Sequence, residues 1–128
     1  MGSNSIVRKK ILIADDDKSI AECLEILLGL SGYEVLVAFD GQEAVMKARS
    51  AVPDLILLDM VMPKLSGFDA CKIIKTDPAL QHIPVIALTS LSQMGNIDKA
   101  YTAGADDYQH KPFDNAHLLG KVEKLLKG

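Results

Sequence analysis

Two short apolar runs in this chain end in carboxylates. Ile11-Leu12-Ile13-Ala14 runs into Asp15-Asp16-Asp17, and Leu55-Ile56-Leu57-Leu58 ends at Asp59. A third run, Val85-Ile86-Ala87-Leu88, ends at Thr89-Ser90, and Asp107-Tyr108-Gln109-His110 leads into Lys111-Pro112-Phe113. Clustered carboxylates repel one another and call for a cation. Carboxylate and backbone carbonyl oxygens, with some water retained, suit Mg²⁺. A lysine beside such a site can counter a bound phosphoryl group. Taken singly each residue has an ordinary explanation: Asp17 as a helix N-cap, Thr89 as a strand end, Lys111 as a solvated charge. The combination is far more specific than its members.

The runs that carry these residues must be strands. They are apolar without alternation, so both faces are buried, which implies a parallel sheet with helices on each side. Glu34-Val35-Leu36-Val37-Ala38 adds another strand. Between the strands, apolar residues recur at helical spacing. Ile20, Leu24, Leu27 and Leu28 form the first stripe, closed by Gly32, and Ala44, Val45 and Ala48 follow a turn at Asp40-Gly41. Phe68, Cys71 and Ile74 form the third, stopped by Asp77-Pro78. A fourth helix between Gly95 and Ala103 has only Ile97, Ala100 and Tyr101 facing the core, with Gly104 closing it. Its small apolar set and Gly95 predict a weakly anchored element. Leu118, Leu119, Val122, Leu125 and Leu126 mark the fifth helix.

Five strands alternating with five helices define an α/β fold: a flavodoxin-like (βα)5 doubly wound parallel five-stranded sheet. Right-handed crossovers place every strand C-terminus along one edge. Ligands bind outside that edge, where the strand order reverses. With order 2-1-3-4-5, Asp15, Asp16, Asp59, Thr89 and Lys111 converge there.

Composition sets the frame. The 128 residues, 48% hydrophobic and with net charge −3, suit one domain with a real core. Residues 1–7 read as a flexible N-terminal segment, with Gly2-Ser3 as a cloning remnant, and residues 8–127 as the domain. The acidic balance speaks against direct nucleic-acid binding, which wants clustered Lys and Arg. No apolar run reaches the roughly 18 residues that cross a bilayer, and the basic Arg8-Lys9-Lys10 is not followed by a secretory signal. The expectation is a cytoplasmic protein without membrane contact. Cys23 and Cys71 both lie in apolar-periodic segments and read as buried free thiols.

These segments together resemble the receiver domain of two-component response regulators, of the chemotaxis-regulator type. The resemblance runs from about Arg8 to Lys127. It rests on Ile11 to Asp17, on Asp54 to Pro63 with Gly67, on Pro84 to Ser90, and on Ala103-Gly104-Ala105-Asp106-Asp107-Tyr108 with Lys111-Pro112-Phe113. The spacings agree as well: Thr89 follows Asp59 by 30 residues, and Lys111 follows Thr89 by 22. The resemblance implies that Asp59 accepts a phosphoryl group from a phosphohistidine on a sensor kinase or phosphotransfer protein. It implies Mg²⁺ bound by Asp16, Asp59 and the backbone carbonyl of Val61, with Asp15 acting through water. Lys111 would pair with one phosphoryl oxygen and Thr89 would hydrogen-bond another. Tyr108 would rotate inward behind Thr89. The change would reach a partner or a linked output domain through the face made by the fourth helix, fifth strand and fifth helix. A phosphorylation-dependent homodimer through that face is compatible with the resemblance. A cis Lys111-Pro112 bond is also implied.

Three positions carry further information: Val61, Leu91 and His110. Val61 and Leu91, each two residues beyond a site residue, are apolar and cannot orient an attacking water, so slow loss of the phosphoryl group is expected. His110 stands where the family commonly has an apolar residue or Thr, and reads as solvent-facing, with a pH- or partner-sensing role as the alternative. Other classes fit less well. A dehalogenase-type phosphatase wants a second Asp two residues after its nucleophile, where Val61 stands. A flavodoxin-like cofactor site would place a phosphate against Asp15-Asp16-Asp17. A receiver that works without phosphorylation would not need all five functional positions intact. The expected role is a switch rather than an enzyme.

Overall fold

The computed structural model describes residues 8–90 and 96–127. The expectations for residues 1–7, for Leu91 and for Gly95 lie outside the described residues. The elements follow the order β1 (Lys10–Ala14), α1 (Lys18–Leu30), β2 (Glu34–Ala38), α2 (Gly41–Ala51) and β3 (Leu55–Asp59). Then come α3 (Gly67–Thr76), β4 (Val85–Ser90), α4 (Asn96–Thr102), β5 (Asp107–Lys111) and α5 (Asn115–Lys127). All pairings are parallel, in one sheet of order β2-β1-β3-β4-β5. The order reverses between β1 and β3, and the parallel pairing sends the carboxyl ends of all five strands to one edge.

Side-chain alternation along the strands divides the core in two. Leu12, Ile56, Leu58, Val85 and Ala87 pack under α2, α3 and α4 with Ala44, Ala48, Ala70, Ile74 and Ala100. Ile11, Ile13, Leu55, Leu57, Ile86 and Leu88 pack under α1 and α5 with Leu24, Leu28, Leu118 and Val122. Each fully buried Leu or Ile contributes on the order of 1.5–3 kcal/mol, so the central strands are the rigid part from which site residues project. Among the described residues, no helix is long and apolar enough to cross a membrane.

Local caps explain the helix starts. The Asp17 carboxylate accepts from the backbone N–H of Ser19 and Ile20, as an N-cap does. Asp40-Gly41, read as a turn, is instead the start of α2. Asp40 accepts from the Glu43 N–H at 2.8 Å while the Glu43 carboxylate accepts from the Phe39 N–H at 2.6 Å, close to a reciprocal capping box.

Three further sequence expectations are corrected. Cys71 is buried, but Cys23 is exposed because it sits at the margin of the α1 stripe. Tyr101 is 44% exposed and, among the described residues of its helix, only Ala100 is fully buried, since β5 is an edge strand and leaves α4 little core to cover. His110 is half-buried rather than solvent-facing, because it lies against Thr89 and Tyr108.

Candidate functional site

Asp15 is the first residue after β1, and Asp59 is the last of β3. Both continue the alternation that buries Ile11 and Ile13, or Leu55 and Leu57, on the α1/α5 side. Asp15 is fully buried and Asp59 is 6% exposed, whereas Asp16 is exposed. Lys111 ends β5, on the same alternation as Gln109. Its ammonium lies 2.7 Å from Asp15 Oδ2 and 3.1 Å from Asp59 Oδ2. The Lys111–Pro112 peptide is cis.

The remaining contacts orient the carboxylates. The Val61 N–H donates to Asp59 Oδ1 at 3.1 Å, and the Asp17 N–H donates to Asp15 Oδ1 at 2.9 Å. Gly67 opens α3 directly behind Asp59. A Cβ there would stand 2.0 Å from the Asp59 carbonyl oxygen and 2.5 Å from Met60 Cα, and the Gly67 N–H donates to the Met60 carbonyl. Only glycine lets this loop press against the backbone of the carboxylate it presents.

Burial is the main influence on Asp59. It pushes the carboxyl up to about 6, the Lys111 charge opposes the rise, the neighbouring Asp15 charge adds to it, and the Val61 N–H opposes it. For Lys111, burial alone would lower the ammonium. The hydrogen bond to Asp15 and the charges of Asp59 and Asp15 outweigh burial, and the net shift is upward. At neutral pH the site therefore holds one firm cation against several carboxylates.

That surplus of negative charge fits a divalent cation. One carboxylate oxygen from each of Asp15, Asp16 and Asp59 lies within 4.8 Å of the others. Apart from the Lys111 ammonium, Asp15 Oδ2 is buried without a hydrogen-bond partner among the described residues. An all-oxygen donor set with an exposed member that keeps water suits Mg²⁺ better than a softer metal.

Thr89 is fully buried near the end of β4, but it belongs to the other face of the sheet, with Val85 and Ala87. Its hydroxyl is 3.4 Å from His110 Nδ1. The Tyr108 ring packs edge-on against His110 at 5.1 Å and against Tyr101 at 6.1 Å, and Lys121 of α5 lies 4.9 Å above it. Lys121 also donates to the Tyr108 carbonyl. The structure thus brings Asp15, Asp16, Asp59 and Lys111 into one cluster and places Thr89 and Tyr108 in a second one behind it. Sequence reasoning missed the Val61 N–H, the His110 contact and Lys121. Only the His110 contact had a signal, since parallel register could have paired it with Thr89.

A family model described as the response regulator receiver domain matches residues 11–123. The chain is 41% identical over 118 residues to the DNA-binding dual master transcriptional regulator RpaA of Synechocystis, covering 92% of this chain and 49% of RpaA. It spans about half the length, or less, of the curated relatives it matches. Among solved structures, it is similar to the signal receiver domain of a signal transduction histidine kinase from Syntrophus aciditrophicus, with TM-score 0.88, 38% identity, and 94% and 91% of the two chains covered. It is also similar to the receiver domain of sensor histidine kinase PA1611 from Pseudomonas aeruginosa, with TM-score 0.89, 30% identity, and 95% and 100% covered. That second structure has a magnesium ion coordinated in its active-site cleft. By sequence match and by fold, the chain belongs to the response regulator receiver domain family of two-component signalling.

Proposed function

We propose that this chain is a phosphoacceptor switch in which Asp59 takes a phosphoryl group from a phosphohistidine. The observation that carries this reading is the Lys111 ammonium held between Asp59 and Asp15 at 3.1 and 2.7 Å, with an oxygen of the exposed Asp16 carboxylate within 4.8 Å of theirs. An Asp59 carboxylate oxygen forms the new O–P bond as the N–P bond breaks. The electron pair returns to the donor imidazole, which then takes up a proton. Asp59 must be ionised to attack. With its carboxyl at about 6, it is mostly ionised at neutral pH. Asp16, Asp59 and the Val61 carbonyl would hold Mg²⁺, with Asp15 acting through water. The ion would neutralise charge on the transferring oxygens.

Lys111 pairs with one phosphoryl oxygen, and Thr89 hydrogen-bonds another. A phosphoryl group adds nearly two negative charges and three strong acceptors, which is enough to draw a buried hydroxyl and an ammonium toward it. Tyr108 follows Thr89 and alters the α4–β5–α5 face. The protein works by changing that surface for a partner or a linked output domain, not by turning over an external substrate. Its donor is a sensor histidine kinase or phosphotransfer protein, its setting the cytoplasm, and its own surface makes no nucleic-acid contact. A homodimer formed through the same face on phosphorylation belongs to this reading.

The test uses acetyl phosphate with Mg²⁺ and intact-mass measurement. The expected product carries about 80 Da more, and Asp59→Asn shows no addition. Equal modification of Asp59→Asn overturns the assignment.

A further inference from the structure

The parallel register pairs Thr89 with His110 and Ala87 with Tyr108. Their side chains therefore share the α4 face of the sheet, opposite the face on which Lys111 meets Asp59. Thr89 is fully buried, and His110 Nδ1 is the hydrogen-bond contact of its hydroxyl among the described residues, at 3.4 Å. The same imidazole lies edge-on to the Tyr108 ring, centroids 5.1 Å apart with 69° between planes. One side chain thus touches both residues that the switch reading assigns to conformational coupling.

A threonine hydroxyl has a single proton to donate. A phosphoryl oxygen is acceptor-only, so a hydroxyl that gives its proton to His110 has none for the phosphoryl group. We propose that His110 is a positioning residue: a resting-state latch whose Nδ1 accepts the Thr89 hydroxyl proton. This deepens the phosphoacceptor reading and rests on it. Release of the latch on phosphorylation frees the hydroxyl and withdraws the imidazole from its place beside Tyr108 in the same movement. A side chain without an acceptor at this position leaves the buried hydroxyl unpaired at rest, which favours the phosphoryl-bound arrangement.

Two measurements test it. In the unmodified wild-type protein, the ¹⁵N shift of His110 Nδ1 is expected to be that of an unprotonated acceptor. A protonated Nδ1 overturns the proposal, because the hydroxyl would then be an acceptor and free to donate elsewhere. Second, binding of the phosphoryl analogue beryllofluoride is titrated in the presence of Mg²⁺. His110→Val should tighten it on the order of two- to tenfold, the worth of one hydrogen bond. His110→Asn, which keeps an acceptor near the Nδ1 position, should return it to the wild-type value. In a Thr89→Val background, His110→Val should have no effect, since the coupled partner is gone. The same tightening with and without Thr89 overturns the latch while leaving the phosphoacceptor reading intact. Failure of the wild-type protein and every variant to bind overturns that reading, and the latch with it.

Discussion

Lys111 Nζ lies 2.7 Å from Asp15 Oδ2, although β5 and β1 are separated in the sheet by β3 and β4. The last residue of the edge strand thus reaches back over the carboxyl edge to the strand where the chain order reverses. On the way it passes Asp59, which ends the intervening β3 at 3.1 Å from the same nitrogen. One ammonium is shared by two carboxylates that are both nearly removed from water.

Removing that ammonium leaves two buried like charges facing each other. Lys111→Ala is expected to lower stability at pH 7 by about 3–5 kcal/mol, the range for breaking a buried pair from one side. The loss should shrink at pH 5, where Asp59, with its carboxyl at about 6, is largely protonated. It should shrink again with millimolar Mg²⁺ at pH 7. Thermal denaturation under the three conditions checks this, and an equal loss in all three contradicts it.

Asp59 itself costs stability when ionised. Its carboxyl is raised from 3.8 to about 6 in the folded protein, so the folded state holds the proton more tightly than the unfolded chain. The penalty is absent below the unfolded value, develops as pH rises toward the folded value, and is complete above it. Asp59→Asn should therefore match wild type near pH 3.5 and exceed it at pH 7 by about 1–2 kcal/mol, after discounting for solvent screening. Denaturant midpoints measured across this range without Mg²⁺ test the sign as well as the size.

The strand ends were legible because their neighbours are unambiguous: four apolar residues closed by an aspartate can hardly be read otherwise, and parallel topology sends such ends to one edge. The caps at Asp17 and Asp40 belong to the same local chemistry, though the second passed for a turn because a glycine followed it. What sequence did not disclose lies at the margins of burial. Cys23 has the helical spacing of a core residue but falls just off the stripe. Tyr101 belongs to a seven-residue helix beside an edge strand, where little core remains to cover it. His110 is polar and at an edge, so its pattern suggested solvent. Only the register that sets it beside Thr89 shows it turned inward.

Glycines separate into those that the site requires and those it tolerates. Gly67→Ala would drive a Cβ to 2.0 Å from the Asp59 carbonyl oxygen, against backbone that cannot yield cheaply. A loss of about 2–4 kcal/mol is expected, with weakened Mg²⁺ binding, because the carboxylate of Asp59 is displaced. Gly120→Ala, inside α5 with nothing within 4 Å of the new Cβ, should instead stabilise by about 0.5–1 kcal/mol. Paired unfolding curves check both signs.

The two thiols should differ in reactivity. Cys23 lines an apolar cavity of about 420 Å³ between α1 and the Pro112–Phe113 segment, and is open to solvent. Cys71 is buried, and burial, opposed by Lys75 and assisted by Asp106, pushes its thiol up to about 11. One equivalent of an aromatic disulfide reagent should react promptly with the native protein, and the second only on unfolding. Two prompt equivalents, or none, contradict this arrangement.

The lifetime of the phosphorylated form depends on who can direct water at it. Val61 is 48% exposed at the mouth of the site, two residues past Asp59, and its N–H is already engaged by the Asp59 carboxylate. Its side chain offers water neither a donor nor an acceptor. Hydrolysis of the acyl phosphate then gains no oriented water from this position, so decay at neutral pH with Mg²⁺ should take minutes or longer. Val61→Asn places an amide at that mouth and should speed decay about tenfold, a modest share of what a positioned polar group can supply. Intact-mass time courses after removal of the phosphodonor measure both proteins. Decay of the wild type within seconds, or equal decay of the two, sinks the assignment of Val61 as the residue that withholds water.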